Sequence, residues 1–194
     1  HLPARLTSFI GRAEDVRTVA RMLSQARLVT LTGPGGCGKT SLAVETARVL
    51  ARAYTQEIKN EKNDTRTNGS QGRQEATSPT SRFDDARLVE LLPLTDPSLL
   101  AQAIVTALGV EGNPQQEAQQ TLISYLSTRQ MLLILDNCEH LIDATAHLVE
   151  AILRSCPRLC VLITSRERLN IAAETVYPLQ PLALPDTQAT LNAQ

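Results

Sequence analysis

The stretch Leu28-Val29-Thr30-Leu31-Thr32-Gly33-Pro34-Gly35-Gly36-Cys37-Gly38-Lys39-Thr40-Ser41 decides how the rest of the chain is read. Its first five residues are apolar or β-branched and read as a buried strand. The next eight satisfy the spacing GxxxxGK[ST], and the apolar stripe Ala43, Ala47, Leu50 and Tyr54 that follows is that of a helix. Strand, glycine-rich loop and helix in this order form a phosphate cradle. Residues without a Cβ let the backbone turn its N–H groups inward, and the helix adds its own unpaired amides and the positive end of its dipole. Lys39 is the mobile charge expected to bridge the β- and γ-phosphates of a nucleotide, and the Thr40 hydroxyl is the expected ligand of Mg²⁺. The expected nucleotide contacts are Gly33, Pro34, Gly35, Gly36, Cys37, Gly38, Lys39, Thr40 and Ser41, with the Cys37 thiol incidental at a variable position.

Such a loop needs an acidic partner for the metal. Met131-Leu132-Leu133-Ile134-Leu135-Asp136 supplies one, as an apolar strand with a carboxylate at its end. In a parallel sheet covered on both faces the acid emerges at the edge where ligands bind. Asn137 follows where a glutamate would serve as general base, because a carboxamide accepts no proton at neutral pH. The water-orienting role therefore falls to Glu139, or to Asp136 through its magnesium shell, and slow turnover is expected. A further strand ends Leu162-Ile163-Thr164-Ser165-Arg166, which places Arg166 at the same edge as a candidate sensor of the γ-phosphate; Arg168 reads as a surface residue.

Outward from these motifs, short apolar runs alternate with helical stripes, the pattern of βαβ units around a parallel sheet. Five strands are predicted, at Leu28–Thr32, Arg87–Leu91, Met131–Asp136, Leu159–Thr164 and Thr175–Leu179. Helical stripes run through Val16, Val19, Ala20 and Leu23, through Leu100, Ile104, Ala107 and Leu108 behind a capping Asp96-Pro97, and through Leu141, Thr145, Leu148 and Ile152. From Lys59 to Arg82 the only apolar side chain is Ala76, a composition that predicts a disordered insertion 59–82.

The 194 residues, 42% of them apolar, suffice for one sizeable core. Nineteen basic against 20 acidic residues provide no positive field to gather nucleic acid or an anionic membrane. Cys37, Cys138, Cys156 and Cys160 are too dispersed for a disulfide framework, and the spacing of the last two lacks the second ligand pair a structural zinc requires. No run approaches the roughly 18 apolar residues of a membrane span, and no leader opens the chain, so a cytoplasmic location is expected. A start at His1 and a polar tail predict a piece of a longer polypeptide.

Together these motifs resemble the NTPase domain of the STAND class, specifically the NB-ARC-like domain of bacterial AfsR-type and large LuxR-type transcriptional regulators. The resemblance covers nearly the whole chain. It is carried by Leu2-Pro3-Ala4-Arg5-Leu6-Thr7-Ser8-Phe9-Ile10-Gly11-Arg12, the phosphate loop with its leading strand, Val89-Glu90-Leu91 with Pro93-Leu94-Thr95-Asp96-Pro97, Leu135-Asp136-Asn137-Cys138-Glu139-His140, and Thr164-Ser165-Arg166-Glu167. It implies an α/β, three-layer P-loop NTPase fold of the ASCE type with a mainly parallel five-stranded sheet, spanning 1–185, with 186–194 opening a lid region. It implies ATP or ADP with Mg²⁺ as ligands, and Phe9, Ile10, Gly11 and Arg12 against adenine and ribose. Lys39, Asp136, Glu139 and Arg166 are the implied catalytic set, with Thr40 and Asp136 at the metal. The implied partners are other domains of the same chain and, depending on nucleotide, further copies of it, without nucleic acid or membrane contact by this segment. A nucleotide-locked interaction module that does not hydrolyse is the alternative, and no acceptor-site signature supports a small-molecule kinase.

Overall fold

The structure is a computed structural model that describes residues 2, 11–64 (54–64 as backbone only), 83, 85–111 and 115–181. Five strands form one sheet: β1 (Leu28–Thr32), β2 (Asp85–Glu90), β3 (Met131–Asp136), β4 (Cys160–Ser165) and β5 (Thr175–Pro178). Their spatial order is β2-β3-β4-β1-β5, and every pair is parallel. The predicted strands are all present, two of them with the predicted ends and three with ends displaced by one or two residues.

Among the described residues, five α-helices flank the sheet, α1 (Ala13–Gln25), α2 (Lys39–Asp64), α3 (Leu100–Ala107), α4 (Ala118–Ser127) and α5 (Ile142–Ser155). A single 3₁₀ turn at Pro97–Leu99 leads into α3. Asp96 caps that turn through its side chain, which accepts from the Ser98 N–H at 2.9 Å. A second 3₁₀ turn, Cys138–His140, links β3 to α5.

Because strand side chains alternate in direction, β3 divides its residues between two cores. Leu132 and Ile134 pack with Val29, Leu31 and the stripes of α1 and α2. Met131, Leu133 and Leu135 pack with α3, α4 and α5 on the other face. All six residues of β3 and of β4 are buried, which explains why these strands read as continuous apolar runs. The result is the three-layer α/β architecture expected from the sequence.

Two expectations need correction. Helix α2 continues through Lys59–Asp64, six residues into the segment expected to be disordered. Gln56, Glu57, Lys59, Glu61 and Lys62 are straight-chain residues of good helix propensity, so the helix needs no apolar stripe to extend over them. Residues 65–82 lie outside the described residues, as do 182–194 with the expected start of a lid. Helix α4 was not anticipated: its buried residues, Thr121, Leu122 and Leu126, span little more than one turn behind a polar Gln-rich lead. Among the described residues, no helix is long and apolar enough to cross a membrane.

The register fixes where the chemistry gathers. Thr32 stands opposite Ser165 and Pro178, and Glu90 opposite Asp136. The carboxyl ends of all five strands thus share one edge, where open α/β sheets bind ligands.

Candidate nucleotide site

The phosphate loop bridges this edge between β1 and α2. Gly33, at φ +152°, passes so close to the last strand's exit that an added Cβ would lie 2.5 Å from the Leu179 carbonyl oxygen. No other residue fits without moving backbone. Gly36 and Gly38 have φ of +75° and +95°, conformations in which an L side chain is strained. The loop closes through Cys37 N–H to Pro34 O at 3.4 Å and enters α2 through Leu42 N–H to Gly38 O at 2.9 Å.

Lys39 is buried at 7% exposure, with its ammonium donating to the carbonyls of Gly33 (2.8 Å) and Pro34 (3.0 Å). The charge is thereby held over the loop it is expected to serve. Pro34, Gly35, Gly36 and Ser41 are exposed, whereas Cys37 is buried beneath the loop.

Thr40 and Asp136 come from elements 96 residues apart, and the Thr40 hydroxyl donates to Asp136 Oδ1 at 2.7 Å. β4 lies between their strands and adds Thr164, whose hydroxyl also donates to Oδ1. The Asn137 carboxamide donates to Oδ2 at 3.0 Å. A carboxylate only 2% exposed thus has three donors, which offsets the desolvation of its charge. Thr40 and Asp136 are the pair that could hold Mg²⁺: a hard cation takes oxygen ligands, and magnesium is commonly bound by one or two protein oxygens plus substrate phosphates. Among the described residues no group of three or more His, Cys, Asp or Glu gathers as a protein-only cage, and this mode of binding does not need one.

Asn137 adopts the left-handed conformation (φ +62°, ψ +54°), and its N–H donates to Thr164 Oγ1 at 3.0 Å. Asparagine tolerates this conformation better than most residues. The reversal carries the chain into the 3₁₀ turn, so Glu139 returns toward the sheet edge and meets Arg166, whose Nε lies 3.2 Å from Glu139 Oε1. The other carboxylate oxygen, Oε2, is buried and has no hydrogen-bond partner among the described residues. The Arg166 guanidinium also reaches the phosphate loop, its Nη2 standing 3.7 Å from where a Cβ on Gly35 would be. Next along, His140 Nε2 contacts the carbonyls of Leu91 (3.1 Å) and Leu94 (2.8 Å), so this nitrogen carries the proton and stitches the loop after β2 to the turn. Burial pushes the Cys138 thiol well above its ordinary pKa, so it acts as a packing residue.

Lys39, Thr40, Asp136, Glu139 and Arg166 are therefore brought together. Arg12 is turned elsewhere: Nη2 donates to Cys37 O (2.9 Å) and Gln180 O (2.8 Å), and Nη1 pairs with Asp15 at 3.2 Å. Of the other residues expected against adenine and ribose, Gly11 stands at φ +83°, and Phe9 and Ile10 lie outside the described residues. Thr164 is the site residue that sequence reasoning left without a role. A hydroxyl ending an apolar strand beside the Asp136 strand was the available signal.

The family model described as AAA ATPase domain matches residues 8–163. An uncharacterised protein of Mycobacterium tuberculosis is 36% identical over 179 residues, covering 92% of this chain and 38% of that protein. A second protein of that organism, named "Putative HTH-type transcriptional regulator", is 33% identical, covering 89% of this chain and 16% of its own length. The chain thus spans well under half of these curated relatives. Among solved structures, the fold is similar to the Aeropyrum pernix ORC2 protein in its ADP form (TM-score 0.55, 14% identity, covering 92% of this chain and 50% of that one). It is similar also to a Signal Transduction ATPase with Numerous Domains (STAND) protein with a tetratricopeptide repeat sensor from Pyrococcus horikoshii (TM-score 0.52, 17% identity, 94% and 25%).

Proposed function

Since the chain belongs to the AAA ATPase domain family, we propose that it binds ATP or ADP with Mg²⁺ and hydrolyses ATP slowly, as the regulatory switch of a longer signalling protein or transcriptional regulator. The observation that carries this reading is the Thr40–Asp136 hydrogen bond, which joins the phosphate loop to the β3 carboxylate at a place where a shared magnesium would serve both. The relative named as an HTH-type transcriptional regulator and the STAND fold support the regulatory context. The near-neutral charge supports partners that are other domains of the same chain, or nucleotide-dependent copies of it, in preference to nucleic acid or membrane bound by this segment.

In this reading Lys39 leaves its two loop carbonyls for the β- and γ-phosphates. Arg166, paired to Glu139 beside Gly35, turns toward the terminal phosphate, and the freed Glu139 orients the attacking water. Because Glu139 begins in an ion pair and Asn137 carries no charge, turnover is slow, on the order of one per minute or less, as for P-loop NTPases that await a completing group. A difference in contacts between ATP and ADP is what makes such a site a switch.

Equilibrium nucleotide binding and release of labelled γ-phosphate, measured on the chain and on Lys39→Ala, test the proposal. Removing two charge-assisted phosphate contacts should weaken ATP binding about 100-fold. Undiminished binding by Lys39→Ala would contradict the reading. Asn137, with its side chain committed to Asp136, favours a second reading, a nucleotide-locked interaction module. Intact ATP after hours with the protein and Mg²⁺ would select it.

A further inference from the structure

Arg12 is buried at 6% exposure, and a buried guanidinium persists only where its donors are used. The same nitrogen, Nη2, serves carbonyls from two distant elements, Cys37 in the phosphate loop and Gln180 just past β5. Nη1 is oriented by Asp15, and Asp15 in turn accepts from the Tyr177 hydroxyl on β5. Two backbone contacts reinforce the seam: Leu179 N–H donates to Thr32 O at 2.7 Å, and the Leu179 carbonyl packs on Gly33. The exit of β5 is therefore fastened to the phosphate loop at its beginning, at Gly33, and at its turn into α2, at Cys37.

A planar trans peptide sets its C=O and N–H antiparallel. With the Cys37 carbonyl held by Arg12, the N–H of Gly38 points away from Arg12, to the opposite side of the loop, where a cradle needs its donors.

We propose that Arg12 is a positioning residue that sets the phosphate-binding amide of Gly38 and couples it to the Leu179–Gln180 exit of β5. Any movement of the Cys37–Gly38 peptide against bound phosphate then breaks or tightens the Gln180 contact, so the chain leaving β5 reports on the nucleotide. The proposal rests on the nucleotide-binding reading above and goes beyond it by naming the element that moves and the residue that moves it.

Hydrogen–deuterium exchange over residues 175–181, with and without saturating ATP·Mg²⁺, tests the coupling, with occupancy measured in the same samples by a fluorescent nucleotide analogue. In the wild-type chain, nucleotide should slow exchange at the Leu179 and Gln180 amides about tenfold. In Arg12→Lys, which keeps the charge but loses the second nitrogen through which Asp15 orients the group on the two carbonyls, that slowing should fall below about twofold at equal occupancy. Should Arg12→Lys fold poorly, Asp15→Asn leaves Arg12 in place without its orienting carboxylate and should give an intermediate loss. Bound nucleotide without a response at 175–181, or the full response in both variants, overturns the proposal alone. Failure of the wild-type chain to bind nucleotide overturns the site reading and the coupling with it.

Discussion

Two arginines flank the phosphate loop, and the structure treats them in opposite ways. Arg12, on the β5 and α1 side, is 6% exposed and spends its donors on two carbonyls and a carboxylate. Arg166, on the β3 and β4 side, is 68% exposed and pairs with Glu139 through one contact. A guanidinium bonded inside the protein is a fastener, because leaving would strand the buried Cys37 carbonyl. A solvated one with a single ion pair exchanges partners at little cost. One flank of the loop is thus built to stay fastened, so that a small movement of the loop is passed on to the β5 exit, and the other to exchange partners, a division that suits a site in which backbone amides hold phosphates and a mobile charge distinguishes their number.

The sharpest test on the responsive flank is Glu139→Gln. If Glu139 orients the attacking water, hydrolysis should fall about 100-fold while ATP binding stays within about twofold, the signature of a general base. Comparable losses of binding and turnover would move Glu139 from chemistry to structure. On stability the two flanks should diverge in the other direction. Arg12→Ala should lower unfolding free energy by about 3 kcal/mol, because it leaves two carbonyls and part of Asp15 unpaired. Arg166→Ala should change it by no more than about 0.5 kcal/mol. Urea denaturation of both variants makes the comparison, and equal midpoints would erase the distinction.

The smallest effect concerns the far end of the fixed flank. Burial, the hydrogen bond to Asp15 and the Asp15 charge raise the Tyr177 pKa to about 12. A phenol whose folded pKa lies above its unfolded value of about 10 contributes stability that is full below pH 10 and lost as pH rises through 12. The Tyr177–Asp15 tie is therefore constant across the neutral range. Absorbance titration at 295 nm should show a late ionising phase near pH 12, and that phase should vanish in Tyr177→Phe.

These flanks were not equally legible in the sequence. Gly33 to Thr40, Asp136 and the strands β1, β3 and β4 stand out because parallel-sheet strands buried on both faces are uniformly apolar and the loop chemistry restricts each position. Arg166 could be placed at the right edge from its position after a strand. Its pairing with Glu139 could not, since that depends on the left-handed turn at Asn137. The Arg12 seam was not legible, because it joins residues 168 positions apart in sequence and no local pattern encodes such a closure. Helix α4 and the last turns of α2 were missed for a different reason: a short stripe and a charged extension both fall below what periodicity can distinguish.

The central claim is that the site tells ATP from ADP through a movable arginine. Equilibrium titration of the wild-type chain and Arg166→Ala with ATP·Mg²⁺ and ADP·Mg²⁺ tests it most directly. A charge-assisted contact made only to the terminal phosphate should be worth about 1.5 kcal/mol, so Arg166→Ala should weaken ATP about tenfold and leave ADP within about twofold. Equal weakening of both nucleotides, or of neither, would contradict the account.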